Sequence, residues 1–329
     1  MKKRTGTLRW ALATALCASA LSGCSGERPD FLALATAGTG GVYYLIGGSI
    51  AEIWSRELPE HIAVAEVTGG SVENLGLLMS DQIQVAFSMG TNALGAYTGS
   101  NSFEGDETGR VLGLVALYPN VLQLASLEGS GVDSLPDLVG RRVSVGAPGS
   151  GTEVGARNLL EANGIPYDDF EPQRLNFNET ANGIRDGTVD AGFWSAGPPT
   201  SSVMDLATAR DIHLIAISDD EVARTQEVDP TVRRDLIPAG SYRGQDEDVP
   251  TLSTPNVLVV RADMDEQLAY SLVKVLLEAH DELAQVHPSA RTISAEYTLD
   301  ASPIPLHPGV IRYLREQGYE VPERLIPTP

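Results

Sequence analysis

Cysteine is nearly absent from this chain of 329 residues, which holds only 2, Cys17 and Cys24. Cys17 falls in an apolar start that reads as a removable leader, so the processed chain keeps one thiol and closes no disulfide. A thiolate metal site is excluded for the same reason. The 5 histidines, His61, His213, His280, His287 and His307, are scattered, with no pair at one-turn spacing. No metal and no cofactor is expected. Basic residues are scarce as well: 23 Lys and Arg stand against 44 Asp and Glu, a net charge of −21. That field disfavours nucleic acid and anionic membrane surfaces as partners. Past the leader no apolar run is long enough to span a bilayer, and no repeat or low-complexity tract is present.

The start of the chain addresses the protein. Lys2, Lys3, Arg4 and Arg9 precede an apolar run over 10–21, and Leu21-Ser22-Gly23-Cys24 follows. A basic start, an apolar middle and small residues before a cleavage point describe a secretory leader. Leu-Ser-Gly-Cys also resembles the bacterial lipobox, which implies cleavage before Cys24 and lipidation of its thiol. Two or more acyl chains hold a protein firmly where one does not. The expectation is a signal peptide over 1–23, a tether over 24–30, and a body held in the periplasm or at the outer face of the cell membrane.

Strand and helix patterns alternate through the body, which is the signature of an α/β fold with largely parallel sheets. Strands are expected at 31–36, 62–67, 84–88, 111–118, 121–127, 142–147, 190–195, 212–218 and 257–261. Helices fall between them, with a long one over 264–286 that stops at His287-Pro288. The stretch 219–250 is polar and has no clear period. The chain leaves its first lobe near 123–127 and returns near 251–260. The expected organisation is therefore two α/β lobes joined by two crossing segments, with a ligand cleft between the lobes. Residues 31–126 with 253–329 make one lobe, and 127–252 the other.

Three loops carry the chemistry: residues 37–44, 68–74 and 146–153. Each is rich in Gly, Ser or Thr, follows a strand and opens a helix. Hydroxyls and the free N–H groups of a helix's first turn can cradle an anion. Better-known versions of such loops fail on the residues. Thr152 stands where a P-loop needs Lys, and Tyr43 where a dinucleotide fingerprint needs Gly or Ala. Pro148 and Thr152 displace the glycines of a nucleophile elbow around Ser150. A Ser150-dependent hydrolase is thus a weak alternative to a binding protein, and no catalytic residue is assigned. Tyr43 and Tyr44 offer a ring wall and a phenol donor. Ser71, Ser150 and Thr152 suit either a helix cap or an anion donor. Trp194 is placed to close the cleft from the second lobe, with core packing its rival role.

As a set, residues 38–44, 68–75, 143–152 and 184–198 resemble the TAXI family, solute-binding receptors of tripartite ATP-independent periplasmic (TRAP) transporters. The resemblance implies a two-lobed, type II-like periplasmic binding protein, a non-enzymatic receptor that closes on a small carboxylate, glutamate or 2-oxoglutarate among them, and delivers it to a TRAP-type ion-coupled permease. By position it implies ligand contacts at Gly40, Gly41, Tyr43, Tyr44, Ser71, Asn74, Ser88, Gly149, Ser150, Gly151 and Thr152. A sensor lipoprotein presenting the same closed complex to a membrane signalling partner is the alternative within binding proteins.

Overall fold

The computed structural model describes residues 29–106 and 108–328. The leader and Cys24 lie outside the described residues. The first lobe opens with β1 (Asp30–Ala35), α1 (Val42–Glu57), β2 (His61–Glu66), α2 (Ser71–Met79), β3 (Val85–Met89) and α3 (Gly90–Thr98). β4 (Val111–Leu127) then runs out of it. The second lobe follows with β5 (Arg142–Ser144), α4 (Gly151–Ala162), β6 (Glu171–Gln173), α5 (Phe177–Asp186) and β7 (Ala191–Ser195). It continues through α6 (Ser201–Ala209), β8 (Ile212–Leu214), α7 (Asp219–Val228) and β9 (Arg233–Ile237). β10 (Val249–Arg261) returns, and α8 (Glu266–Glu278), α9 (His280–Val286), α10 (Ala295–Ala301) and α11 (Pro308–Glu316) complete the first lobe.

Both lobes repeat one plan. β1 lies parallel between β2 and β3, and β5 lies parallel between β6 and β7. The two crossing strands join these sets in the order β2-β1-β3-β10-β4-β7-β5-β6. β10 and β4 pair antiparallel from Arg261↔Val111 to Ser253↔Val121, and β4 continues on to pair with β7. Midway, Pro255 faces Pro119. The parallel strands of each lobe end at the cleft, so every βα loop emerges there, as open α/β sheets require of a ligand site. This is a two-lobed α/β periplasmic binding-protein fold.

Helices cover each sheet on both faces, which is why β3 and most of β4 are apolar without alternation. On one face of the first lobe, α1 buries Ile46, Ile50, Ile53 and Trp54 against α8 and α9. Their spacing of three and four residues makes one helical stripe. On the other face, Leu75, Leu78, Ala93 and Ala96 of α2 and α3 pack with Val257 and Val259 of β10. The second lobe has the same two layers, Leu159 and Leu160 with Phe193 on one side, Val203 and Leu206 with Trp194 on the other.

Three expectations change. Residues 111–127 form one strand rather than two, because Pro119 interrupts the apolar run without breaking the extended backbone. The helix over 264–286 is two, parted at Ala279, where His280 Nδ1 turns aside to donate to the Ile293 carbonyl at 2.8 Å. The polar stretch 219–250 holds α7 and β9. α7 is started by a capping box, the Ser218 hydroxyl with the Glu221 backbone and side chain. It buries only Val222 and Thr225, so its apolar signal is faint.

Trp54 is fully buried and its Nε1 donates to the Leu272 carbonyl at 3.1 Å. Trp54→Ala should cost about 3–5 kcal/mol of stability, read as a lower urea midpoint. His287, at the end of α9, is buried; its Nε2 donates to the Pro199 carbonyl at 3.1 Å and its Nδ1 accepts from Ser289 N at 3.2 Å. Burial lowers its pKa, and a second proton would displace the Ser289 bond. The unfolded chain therefore binds more protons in acid. Its contribution is full above the ordinary imidazole value of about 6.5 and is lost as pH falls below it. His287→Gln should flatten that fall in denaturation midpoints measured across pH.

Candidate ligand-binding cleft

Between the lobes lies a cavity of about 60 Å³. Its wall comes from the loops before α1, α2, α4 and α5 and from the ends of β3 and β7. None of its lining residues is charged. Tyr43 and Phe177 supply the rings, and Thr68, Ser71, Ser150 and Thr152 supply hydroxyls. At its floor the Tyr43 hydroxyl donates to Asn256 Oδ1. Burial raises the Tyr43 pKa far above the ordinary phenol value, so the hydroxyl stays a neutral donor.

The helix starts around the cavity are used in different ways. α1 begins at Gly41 with no side-chain cap. α4 begins at Ser150, whose Oγ accepts only from Glu153 N, at 3.2 Å. Among the described residues, the amides of Val42, Tyr43, Gly151 and Thr152 have no acceptor, and these four belong to residues lining the cavity. α2 differs. Its first amides, Val72 N and Glu73 N, donate to the Gly149 carbonyl at 3.0 and 3.1 Å. The dipole that could have met a ligand there meets the opposite lobe instead.

Of the residues singled out from sequence, Gly41, Tyr43, Ser71, Ser150, Gly151 and Thr152 line the cavity together. Gly40, Tyr44, Asn74, Ser88, Gly149 and Trp194 do not. Tyr44 is 38% exposed, one position round the helix from Tyr43 and outside the cleft. Asn74 is buried under the loops, its Nδ2 donating to the carbonyls of Thr36 at 2.7 Å and Phe87 at 2.9 Å. Ser88 Oγ donates to its neighbour's carbonyl at 2.9 Å, since both faces of β3 are covered. Trp194 belongs to the second lobe's core. Its Nε1 donates to Ser202 Oγ, which donates to the Gly40 carbonyl, both at 3.1 Å, so Trp194 and Gly40 hold the lobes together rather than face the cavity. No His, Asp or Glu lines the cavity with Ser150, and among the described residues its Oγ bonds no side-chain base. Among the described residues, no three His, Cys, Asp or Glu side chains group as a metal site.

The sequence reading missed Asn120 and Ser195. Both line the cavity, both are buried, and Asn120 Oδ1 and Ser195 Oγ have no hydrogen-bond partner. The signal was present at Asn120, a polar amide inside a largely apolar strand.

A family model described as NMT1-like matches residues 34–318. The chain belongs to the NMT1-like family. Among solved structures, this NMT1-like protein is similar to the PhnD1 protein of Prochlorococcus marinus in complex with methylphosphonate. The TM-score is 0.54 at 10% identity, covering 88% of this chain and 99% of that one. It is also similar to the alkanesulfonate-binding protein SsuA of Xanthomonas axonopodis pv. citri bound to MOPS. There the TM-score is 0.50 at 14% identity, covering 91% and 96%. A Streptococcus mutans structure, from work on glutathione import through GshT and a cystine ABC importer, gives 0.50 at 14%, covering 80% and 95%. At such identities the likeness is one of fold. These findings correct the TAXI resemblance: the family that matches is NMT1-like, and the TRAP permease, glutamate and 2-oxoglutarate lose their support. Glycine-rich βα loops facing a cleft are a property of the two-lobed fold, so they could not single out one transporter class.

Closure can be tested through glycines at the lobe contact. A Cβ at Gly69 would stand 2.4 Å from the Pro148 carbonyl oxygen of the other lobe. At Gly151 it would meet Asn92 Oδ1, Met89 Sδ and Ser71 Oγ within 2.7 Å. Gly69→Ala and Gly151→Ala should each oppose closure by about 1–3 kcal/mol, weakening ligand affinity roughly 5- to 150-fold. Small-angle scattering should show both variants staying extended with a ligand that compacts the native protein.

Proposed function

We propose that this NMT1-like protein is an extracytoplasmic solute-binding protein that closes on a small solute with an acidic oxygen head group and presents it to an ABC-type importer. The observation that carries this reading is the cavity itself. Unsatisfied amides from both lobes, at Val42 and Tyr43 and at Gly151 and Thr152, surround it with hydroxyls and no charged side chain. Such a cradle meets an oxyanion with dipoles, and the two helix starts add their positive ends. The structural neighbours in complex with methylphosphonate and bound to MOPS support this chemical class. In this reading residues 31–126 with 253–329 form one lobe and 127–252 the other. The leader and the Leu21-Ser22-Gly23-Cys24 motif support export and a lipid tether at Cys24.

Size narrows the solute. A cavity of about 60 Å³ has room for roughly four to six water-sized groups. That suits methylphosphonate or a short alkanesulfonate better than a tripeptide such as glutathione. Thermal unfolding with methylphosphonate, ethanesulfonate, MOPS, cystine and glutathione tests this. A small phosphonate or sulfonate at a hundred times its dissociation constant should add about 2.7 kcal/mol. Stabilisation by none of the small oxyanions would defeat the reading. The net charge of −21 makes a second prediction. An anion approaches against the global field, so its association rate should rise with ionic strength, the reverse of a steered encounter, as stopped-flow fluorescence would show.

A further inference from the structure

The two crossing strands carry buried polar side chains with atoms that the fold leaves unpaired. Tyr118 and Asn120 lie on β4, and Thr254 and Asn256 on β10. The ladder pairs Tyr118 with Asn256 and Asn120 with Thr254, and Pro119 with Pro255 between them. Side chains alternate along a strand, so the four polar residues share one face and the prolines take the other. The surroundings agree. Pro119 and Pro255 line a separate groove, while Asn120 lines the ligand cavity and Asn256 accepts the hydroxyl of Tyr43 at its floor.

All four residues are buried, none more than 3% exposed. Each has a polar atom without a partner: Tyr118 Oη, Asn120 Oδ1, Thr254 Oγ1 and Asn256 Nδ2. Ser195 Oγ, at the end of β7, is a fifth. An unsatisfied buried donor or acceptor costs about 1–3 kcal/mol, and a strand core normally avoids it with Val or Leu. Beside the main cavity is an inner chamber of about 10 Å³, lined by Asn120, Ser195 and Thr254 among others. That is about the space of one non-hydrogen group.

We infer that the crossing strands form a polar subsite for an uncharged hydrogen-bonding group of the ligand. The inference rests on the acidic-head-group reading above and adds the other end of the molecule. The ligand is bifunctional. Its oxyanion sits at the starts of α1 and α4, and a hydroxyl or comparable group reaches Asn120, Ser195 and Thr254. A purely alkyl tail of equal length leaves those groups unpaired and is rejected.

Isosteric probe pairs test this by calorimetry: hydroxymethylphosphonate against ethylphosphonate, and 2-hydroxyethanesulfonate against 1-propanesulfonate. The hydroxyl member of a pair should bind at least about tenfold more tightly. Thr254→Val and Ser195→Ala should together shrink that ratio to below about threefold. Equal binding of the alkyl analogue, or a ratio unmoved by the substitutions, would overturn the inference. If neither pair binds, the acidic-head-group reading fails, and the subsite is judged on ligand-free protein alone. Thr254→Val should then leave the melting temperature unchanged or raise it, as for a group kept for a ligand. A lowered melting temperature would mean that the hydroxyl serves the fold, and the inference is overturned.

Discussion

The antiparallel ladder between β4 and β10 is the contact on which the rest of the molecule depends. Each lobe hangs its parallel strands on one side of it, β3 on β10 and β7 on β4. The lobes therefore share a continuous hydrogen-bonded backbone, and they are not two bodies on a flexible linker. That connection brings the loops of both lobes to one cleft. It also means that the cavity floor is the ladder itself, so recognition and the joint between lobes are built from the same residues.

Contact between the lobes is made largely by main chain and small groups. The Gly149 carbonyl receives the first amides of α2, the Gly40 carbonyl receives Ser202 Oγ, and Thr91 Oγ1 donates to the buried carboxylate of Asp229 at 2.6 Å. The neutral bonds are each worth about 0.5–1.5 kcal/mol in net terms, and the bond to the carboxylate about 1.5–3 kcal/mol. That scale suits the opening and closing that the proposed function requires. Larger apolar interlocks would hold it shut without a ligand, and the differential affinity of a solute for the closed form could not then decide the state.

Much of the fold was legible in the chain because its signals are local and strong. Strand and helix patterns alternate, Gly-rich loops mark the junctions, and the two crossings fall near where the apolar runs place them. Less of the cleft was legible. Period-two reasoning separates core from solvent, but β3 is covered on both faces, so nothing in its sequence told Ser88 from a cleft residue. Asn74 and Tyr44 lie within one turn of true lining residues, and only the rotation of each helix on its sheet decides which side chain reaches in. Asn120 fell in the gap between the two strands expected over 111–118 and 121–127, so it was not weighed as a cleft residue. The family resemblance failed for a related reason: loop composition reports the architecture that many binding proteins share, while the solute is chosen by side chains distant in sequence.

Pro119 and Pro255 face each other across the middle of the crossing. Proline has no amide hydrogen, so neither residue of this rung can donate to the ladder, and the deficit falls midway along the crossing. Bending concentrated there breaks fewer bonds than bending elsewhere along the strands. For a protein that opens and closes as proposed above, the missing donors would make this pair the axle, the transverse line along which the lobes turn at least cost.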